Sequence, residues 1–497
     1  MRILPLACVI SLALPLRAKD LPAPPEFYPV REFIQQAITN HRTPSLAVAV
    51  MQSNKLVWAE GFGVAELDAK RAASADALYL LASVSKPIAA TGLMLLVERG
   101  KVHLDWPANH FLPKAKLRAH AGNADDITVR RLLNHTSGIG LHYNFYYDTA
   151  PPPRDETITR YGFAYNPPGT RYEYCNLGFG IVDHITSLQS RESWTRFMEK
   201  ELFDRAGMKS TGGRVRPGLE KQASAQYTTD AGGRFTRIAP YGFDHDGASA
   251  VWSTANDLAK FARMHLGGGV VDFRTVLKAE TVAAMQVPGT ATLTNAPDPG
   301  YGLGWFIGRA NGHRAVWHTG GMPGVSTIVR LYPDRDAALV VLCNSDVRGL
   351  VADTERRLAQ TILGPASANP IAAAAGALGA GVRSAATSTT NSFAGNWEGK
   401  LAHFEGDIPL RLEVGTNGVV RAKLGTRDFA QLDRVAFRQG KLHGETEGFL
   451  KTQPGYHGPV NLEFRLERGG ERLTGVCVAS ARGYFALSHY VELQKVK

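Results

Sequence analysis

Three short clusters carry the residue types of acyl-transfer chemistry: Ser83-Val84-Ser85-Lys86, Tyr174-Cys175-Asn176 and His318-Thr319-Gly320-Gly321. On a helix, positions three apart share a face, so the Lys86 amine can reach the Ser83 hydroxyl and take its proton. The start of such a helix also offers free backbone N–H groups and the positive end of a dipole. Both favour the oxyanion formed when a carbonyl is attacked. A phenol and an amide separated by one residue, as Tyr174 and Asn176 are, can point into one cleft. Paired glycines after His318 permit close approach of a substrate backbone, and the Gly321 N–H is a candidate second oxyanion donor. Each cluster has an ordinary explanation as well. Ser83 can be a helix cap beside a solvated lysine, Tyr174 a buried ring with a satisfied hydroxyl, and His318 a surface residue where a strand ends in a flexible turn.

The elements that must hold these residues are legible from hydrophobic period. Ser83 follows the strand-like run Leu78 to Ala82 and its motif opens a helix read from Ser85 to Arg99 and closed by Gly100; it is apolar on nearly every side, which predicts a central position. A lysine within so buried a helix needs a partner or a function. The turn at residues 166–172 delivers Tyr174 to a connection between helices. Ser45 to Met51 and Lys55 to Phe62 read as a strand pair around Ser53-Asn54, and His313 to His318, Gly324 to Tyr332 and Ala337 to Cys343 as three consecutive strands. Strands at both ends with helices between them predict an α+β domain with an antiparallel sheet.

The 497 residues, 44% hydrophobic and 20% charged, can bury a large core, which excludes a disordered or short stapled chain. The excess of 56 Lys+Arg over 45 Asp+Glu is spread along the chain, with no basic run beyond pairs such as Arg130-Arg131. A nucleic-acid partner is therefore not expected. Arg2, the apolar run Ile3 to Leu16 and the small-residue end at Ala18 read as an export signal over residues 1–18. Lipid anchoring at Cys8 is the less favoured alternative. Cys175, Cys343 and Cys477 remain, an odd number that implies no disulfide framework. Other apolar runs fall short of the roughly 20 residues of a spanning helix. Residues 364–392, rich in Ala, Gly, Ser and Thr, read as a linker, and residues 393–497 alternate polar and apolar positions as a small antiparallel β domain. No H-E-x-x-H or comparable histidine pairing is present, so neither a metal nor a cofactor is expected. His135 in Asn134-His-Thr-Ser-Gly reads as scaffolding near the cleft.

In this order and spacing the clusters closely resemble the serine β-lactamase and penicillin-binding family, in particular its class C, D-alanyl-D-alanine carboxypeptidase and family VIII esterase branch. The resemblance runs from about Phe27 to Leu363 and includes Leu81-Ala-Ser-Val-Ser-Lys, Ile127-Thr-Val-Arg-Arg-Leu-Leu-Asn-His-Thr-Ser-Gly, Pro168-Gly-Thr-Arg-Tyr-Glu-Tyr-Cys-Asn and Tyr301-Gly-Leu-Gly-Trp. It implies a β-lactamase/transpeptidase-like domain over residues 19–363, an antiparallel sheet flanked by helices with a helical subdomain. A weaker likeness makes the final domain lipocalin-like. By the same resemblance Ser83 is the nucleophile, Lys86 its proton acceptor and Tyr174 the proton shuttle. Asn176 orients Lys86 and the substrate amide, and the Ser83 and Gly321 N–H groups hold the oxyanion. His318, with Thr319 and Gly320, lines the cleft and meets a substrate carboxylate or Tyr174. His318 stands where many β-lactamases carry lysine, and no Glu-x-x-Leu-Asn segment is present, which directs the expectation to carboxypeptidase or esterase chemistry. Cys175 replaces a smaller residue and is read as packing. The expected protein is an exported, periplasmic or secreted serine hydrolase of a D-amino-acid peptide, short-chain ester or β-lactam, the peptide substrate being of cell-wall origin. A catalytically silent scaffold that docks a partner through its β domain is the competing class.

Overall fold

A computed structural model describes residues 20–364 and 392–496, except 231, 294, 295, 298, 439 and 453–455. The expected export signal with Cys8, and the expected linker apart from its two end residues, lie outside the described residues. The chain opens with α1 (Tyr28–Thr39), the hairpin β1 (Ser45–Gln52) and β2 (Lys55–Glu66), and the short β3 (Arg71–Ala72). The hairpin turns at Ser53 and Asn54, both with positive φ, the geometry that matches strand twist and that Asn tolerates. Then come α2 (Ser85–Glu98), β4 (His142–Tyr146), α3 (Asn176–Ser190), β5 (Gly242–Phe243), α4 (Asp246–Ser249) and α5 (Ala255–Leu266). The first unit closes with β6 (Gly300–Tyr301), β7 (Phe306–Ala310), β8 (His313–Met322), β9 (Val325–Tyr332), β10 (Ala337–Cys343) and α6 (Arg348–Leu363).

These strands form an eight-stranded antiparallel sheet in the order β6-β7-β8-β9-β10-β1-β2-β3, which brings the first hairpin beside the last strands. The apolar run of β1 is explained by this central place. Leu46, Val48 and Val50 face α1 and α6, while Ala47, Ala49 and Met51 face the larger core that contains α2 and α5. A sheet covered on both faces reads as a continuous apolar run, not as an alternation.

Two sequence expectations are corrected. His318-Thr319-Gly320-Gly321 does not end a strand, since β8 continues through Met322. The glycines are needed for a different reason: a Cβ on Gly320 would lie 2.2 Å from the Leu81 carbonyl oxygen, so β8 presses directly on the turn that carries Ser83. Tyr174 lies in the connection between the helix Arg154–Tyr161 and α3, but at its end and not its start, with Cys175 as the extended cap residue and Asn176 as the first helical residue.

The all-β unit contains β11 (Gly395–Leu401), β12 (Ile408–Val414), β13 (Val420–Leu424), β14 (Ala430–Gln431), β15 (Asp433–Arg438), β16 (Lys441–Gly448), β17 (Val460–Gly469), β18 (Arg472–Ala481) and β19 (Phe485–Val496). Their order, β14-β13-β12-β11-β19-β18-β17-β16-β15, curls into a nearly closed barrel whose seam lies between β14 and β15. The barrel is fused to the first unit by backbone pairing. Phe485, Ala486 and Leu487 of β19 oppose Asn144, Tyr143 and His142 of β4, whose other edge pairs with β5. Around this splice, the hydroxyls of Tyr165, Tyr161 and Tyr147 donate to the carbonyls of Ser488 (2.8 Å), Thr452 (2.6 Å) and Gly483 (2.6 Å).

Candidate active site

Ser83 lies in a 3-10 turn, Ala82–Val84, that runs into α2. The preceding Ala82 takes φ of 49°, a left-handed conformation that costs a residue with a Cβ about 1–3 kcal/mol and is held by surrounding contacts. Lys86 is fully buried one turn on. Its Nζ has three partners: Ser83 Oγ at 3.0 Å, Asn176 Oδ1 at 2.6 Å and the Ala248 carbonyl of α4 at 3.3 Å. Burial lowers the Lys86 pKa well below its ordinary value, so the neutral amine is the favoured form. A neutral amine has two hydrogens and one lone pair. The two carbonyl oxygens can only accept, so they take the hydrogens, and the lone pair is left facing the Ser83 hydroxyl. The geometry is that of a base aimed at a nucleophile.

Asn176 is held from behind, its Nδ2 donating to the His142 carbonyl at 2.9 Å. The Tyr174 ring lies with its centroid 4.7 Å from Lys86 Nζ, and its hydroxyl is near enough to Ser83 for that side chain to influence its titration. Burial, and secondarily the neighbouring Tyr143, pushes the Tyr174 pKa well above 10, so this group is a phenol able to give a proton, not a tyrosinate poised to take one. His135 braces the segment: its Nδ1 accepts from the Cys175 N–H at 3.2 Å, and its ring centroid lies 4.3 Å from that of Tyr174. Burial pushes the Cys175 thiol up to about 12, in keeping with a packing role.

His318 is buried with both ring nitrogens engaged. Nδ1 donates to the Thr319 carbonyl at 2.7 Å, and Nε2 accepts from the Tyr301 hydroxyl at 2.9 Å. Burial brings its pKa down to about 3, so the ring is neutral and stands 6.4 Å from the Tyr174 ring. The ring has no free nitrogen for a substrate carboxylate. The free cation at this end of the cleft is Arg348, at the start of α6. It is exposed, has no acidic partner among the described residues, and lies so close to Gly321 that a Cβ there would meet its guanidinium at 2.4 Å.

The structure thus gathers Ser83, Lys86, Tyr174 and Asn176 into one cluster, with β8 and its Thr319, Gly320 and Gly321 alongside. Sequence reasoning missed Ala248, Tyr143 and Arg348, and singled out Tyr301 only as part of a family-like stretch, without a role. Ala248 acts through its backbone, which no side-chain pattern reveals. Tyr143 lies on the short strand β4, recognisable in sequence only as an aromatic-rich stretch. Among the described residues one group, His142, Asp244 and His245, brings ligand-type atoms within 4.8 Å of one another. Its imidazole N–H groups already donate to the carboxylate, and His245 Nε2 lacks the outer partner that usually orients a ligating imidazole.

Comparisons with known proteins identify the family of the first unit. The Beta-lactamase family profile matches residues 30–362. "Penicillin-binding protein 4" of Amycolatopsis lactamdurans is 29% identical over 334 residues, 62% of this chain and 83% of the relative. "Unguisins hydrolase ungD'" of Aspergillus campestris is 27% identical over 340 residues, 65% of this chain and 62% of the relative. Among solved structures, that of SurE with D-Leu superposes with a TM-score of 0.62 at 20% identity, over 93% of this chain and 99% of SurE, a likeness of fold. With the profile spanning most of the first unit and a serine–lysine pair at its centre, the chain belongs to the Beta-lactamase family and is a serine hydrolase of that type.

Proposed function

We propose that the protein is an exported hydrolase that forms an acyl-enzyme on Ser83 and cleaves an amide or ester next to a D-configured residue bearing a free carboxylate. The observation that carries this reading is the Lys86 amine, fully buried and offered two carbonyl acceptors, which leaves its lone pair for Ser83. Ser83 Oγ attacks the scissile carbonyl as its proton passes to Lys86 Nζ, and the N–H groups of Ser83 and Gly321 hold the oxyanion. On collapse the C–N or C–O bond breaks, and the leaving group takes the Tyr174 phenol proton, which Lys86 restores. Water then attacks the ester carbon, its proton passes back through Tyr174 to Lys86, and Ser83 is released with its hydrogen.

The carboxylate falls to Arg348, since His318 is neutral and engaged. A D-residue substrate is supported by the D-Leu named with SurE, and hydrolysis by the relative named unguisins hydrolase. We read the chain as a signal at 1–18, a catalytic domain at 19–363, a linker at 364–392 and a β domain at 393–497, with periplasmic or secreted localisation. No helix among the described residues is long and apolar enough to cross a membrane. Intact-mass analysis after exposure to a fluorophosphonate or a penicillin tests the reading. An adduct that is lost in Ser83→Ala supports it; no adduct with any acylating probe favours a silent scaffold.

A further inference from the structure

Behind Lys86 lies a buried carboxylate for which the chemistry above has no use. Asp244, between β5 and α4, is fully buried and saturated with donors. His142 Nε2 donates at 3.0 Å, Asn144 Nδ2 at 3.0 Å, the Tyr146 hydroxyl at 3.2 Å and His245 Nδ1 at 2.7 Å. Three of these donors alternate along β4, so the whole inward face of that strand is tied to one carboxylate. The two carbonyl acceptors of Lys86 belong to the two parts that Asp244 joins. Ala248 lies in α4, four residues along the chain from Asp244, and Asn176 is fixed by the backbone carbonyl of His142 on β4. The separation of those acceptors decides where the amine lone pair points.

The outer edge of β4 is not free either. Phe145 N–H donates to Tyr484 O at 2.8 Å and Ser488 N–H to Leu141 O at 3.1 Å. We propose that Asp244 is a positioning residue of the acylation step. It locks β4 to α4 and so aims Lys86 at Ser83, and the C-terminal β unit completes this frame by adding β19 to the far edge of β4. The inference rests on Lys86 acting as the base for Ser83. A carboxylate serving only to fill the core would need neither donors from alternate residues of one strand nor a strand whose backbone holds the catalytic asparagine.

Two variants of the full chain test it. Asp244→Asn keeps the shape and turns one acceptor into a donor facing donors. Ala486→Pro acts at the splice: Tyr484 and Ser488 bond β4, so the antiparallel alternation turns the Ala486 N–H toward β4 and away from β18. The readout is the single-turnover rate of fluorophosphonate acylation per titratable Ser83, with kcat and KM on p-nitrophenyl butyrate. Each variant is expected to lower the rate per titratable site by about 10- to 100-fold while KM changes by less than about threefold, the mark of a misplaced group and not of lost binding. A variant that merely loses part of its labelable population, with the rate per remaining site at the wild-type value, overturns the inference. So does an unchanged rate in both. Failure of the wild-type protein to be labelled at Ser83 instead overturns the hydrolase reading on which the inference stands.

Discussion

Replacing Lys86 with methionine isolates the protonation state of the amine from its chemistry. Burial holds the folded-state pKa well below the ordinary value, whereas the unfolded chain titrates this group near 10.4. Between the two values the unfolded chain carries a proton that the folded chain lacks. Wild-type stability therefore rises with pH in that interval, by about 1.4 kcal/mol per pH unit at full slope, and levels off above about 10.4. Methionine has nearly the same length and does not titrate. The variant also strands the Asn176 and Ala248 carbonyl oxygens without a donor, but that cost is the same at every pH and cancels from the slope. Other titrating groups are common to both proteins. In a domain this large about 1 kcal/mol corresponds to roughly 2 °C in Tm. Scanning calorimetry at a series of pH values below about 10.4 should then show the gap between wild type and Lys86→Met shifting toward wild type as pH rises, by up to roughly 3 °C per pH unit where the slope is full. Parallel curves would mean that Lys86 is charged in the folded protein and would end its role as the base. Activity follows the same sign, present above the lowered pKa and lost as the amine becomes protonated below it.

Tyr174→Phe should reduce turnover by at least about 100-fold, the usual loss for a general acid or base, and an unchanged rate removes Tyr174 from the proton path. Arg348→Ala should raise KM for a D-Ala-D-Ala peptide by about tenfold or more, the worth of one charge-assisted hydrogen bond, and leave p-nitrophenyl butyrate hydrolysis near the wild-type value. Equal losses on both substrates would reassign that cation to a structural role. Cys175, Cys343 and Cys477 are buried, so iodoacetamide should modify none of them in the native protein and all of them after unfolding, as read by intact mass.

The parts of the fold governed by local period were readable. The helix expected from Ser85 to Arg99 spans Ser85–Glu98 and ends before Gly100 at φ of 65°. The β1–β2 hairpin turns where Ser53-Asn54 indicated, because turn chemistry and apolar runs are sequence-local. Ser83, Lys86, Tyr174 and Asn176 were recognisable for the same reason, each lying in a short motif. What escaped notice depends on contacts between distant segments. Nothing near Gly320 announces that the Leu81 carbonyl lies against it, and the Ala248 carbonyl became visible only when α4 was placed beside α2. The partnership of residues 142–144 with 485–487 could not be read, since β4 is a five-residue strand with many equivalent pairings open to it and the register is set by segments far apart in the chain.

That partnership has a consequence for biogenesis. The partner of β4 on this edge lies about 340 residues later in the chain, so the edge must remain unpaired until those further residues have been made. Contacts of such long range form late and leave sticky intermediates in the meantime. The protein should therefore depend on holding factors while it is being made, and truncation near the C-terminus should be punished first by aggregation, well before any question of turnover arises.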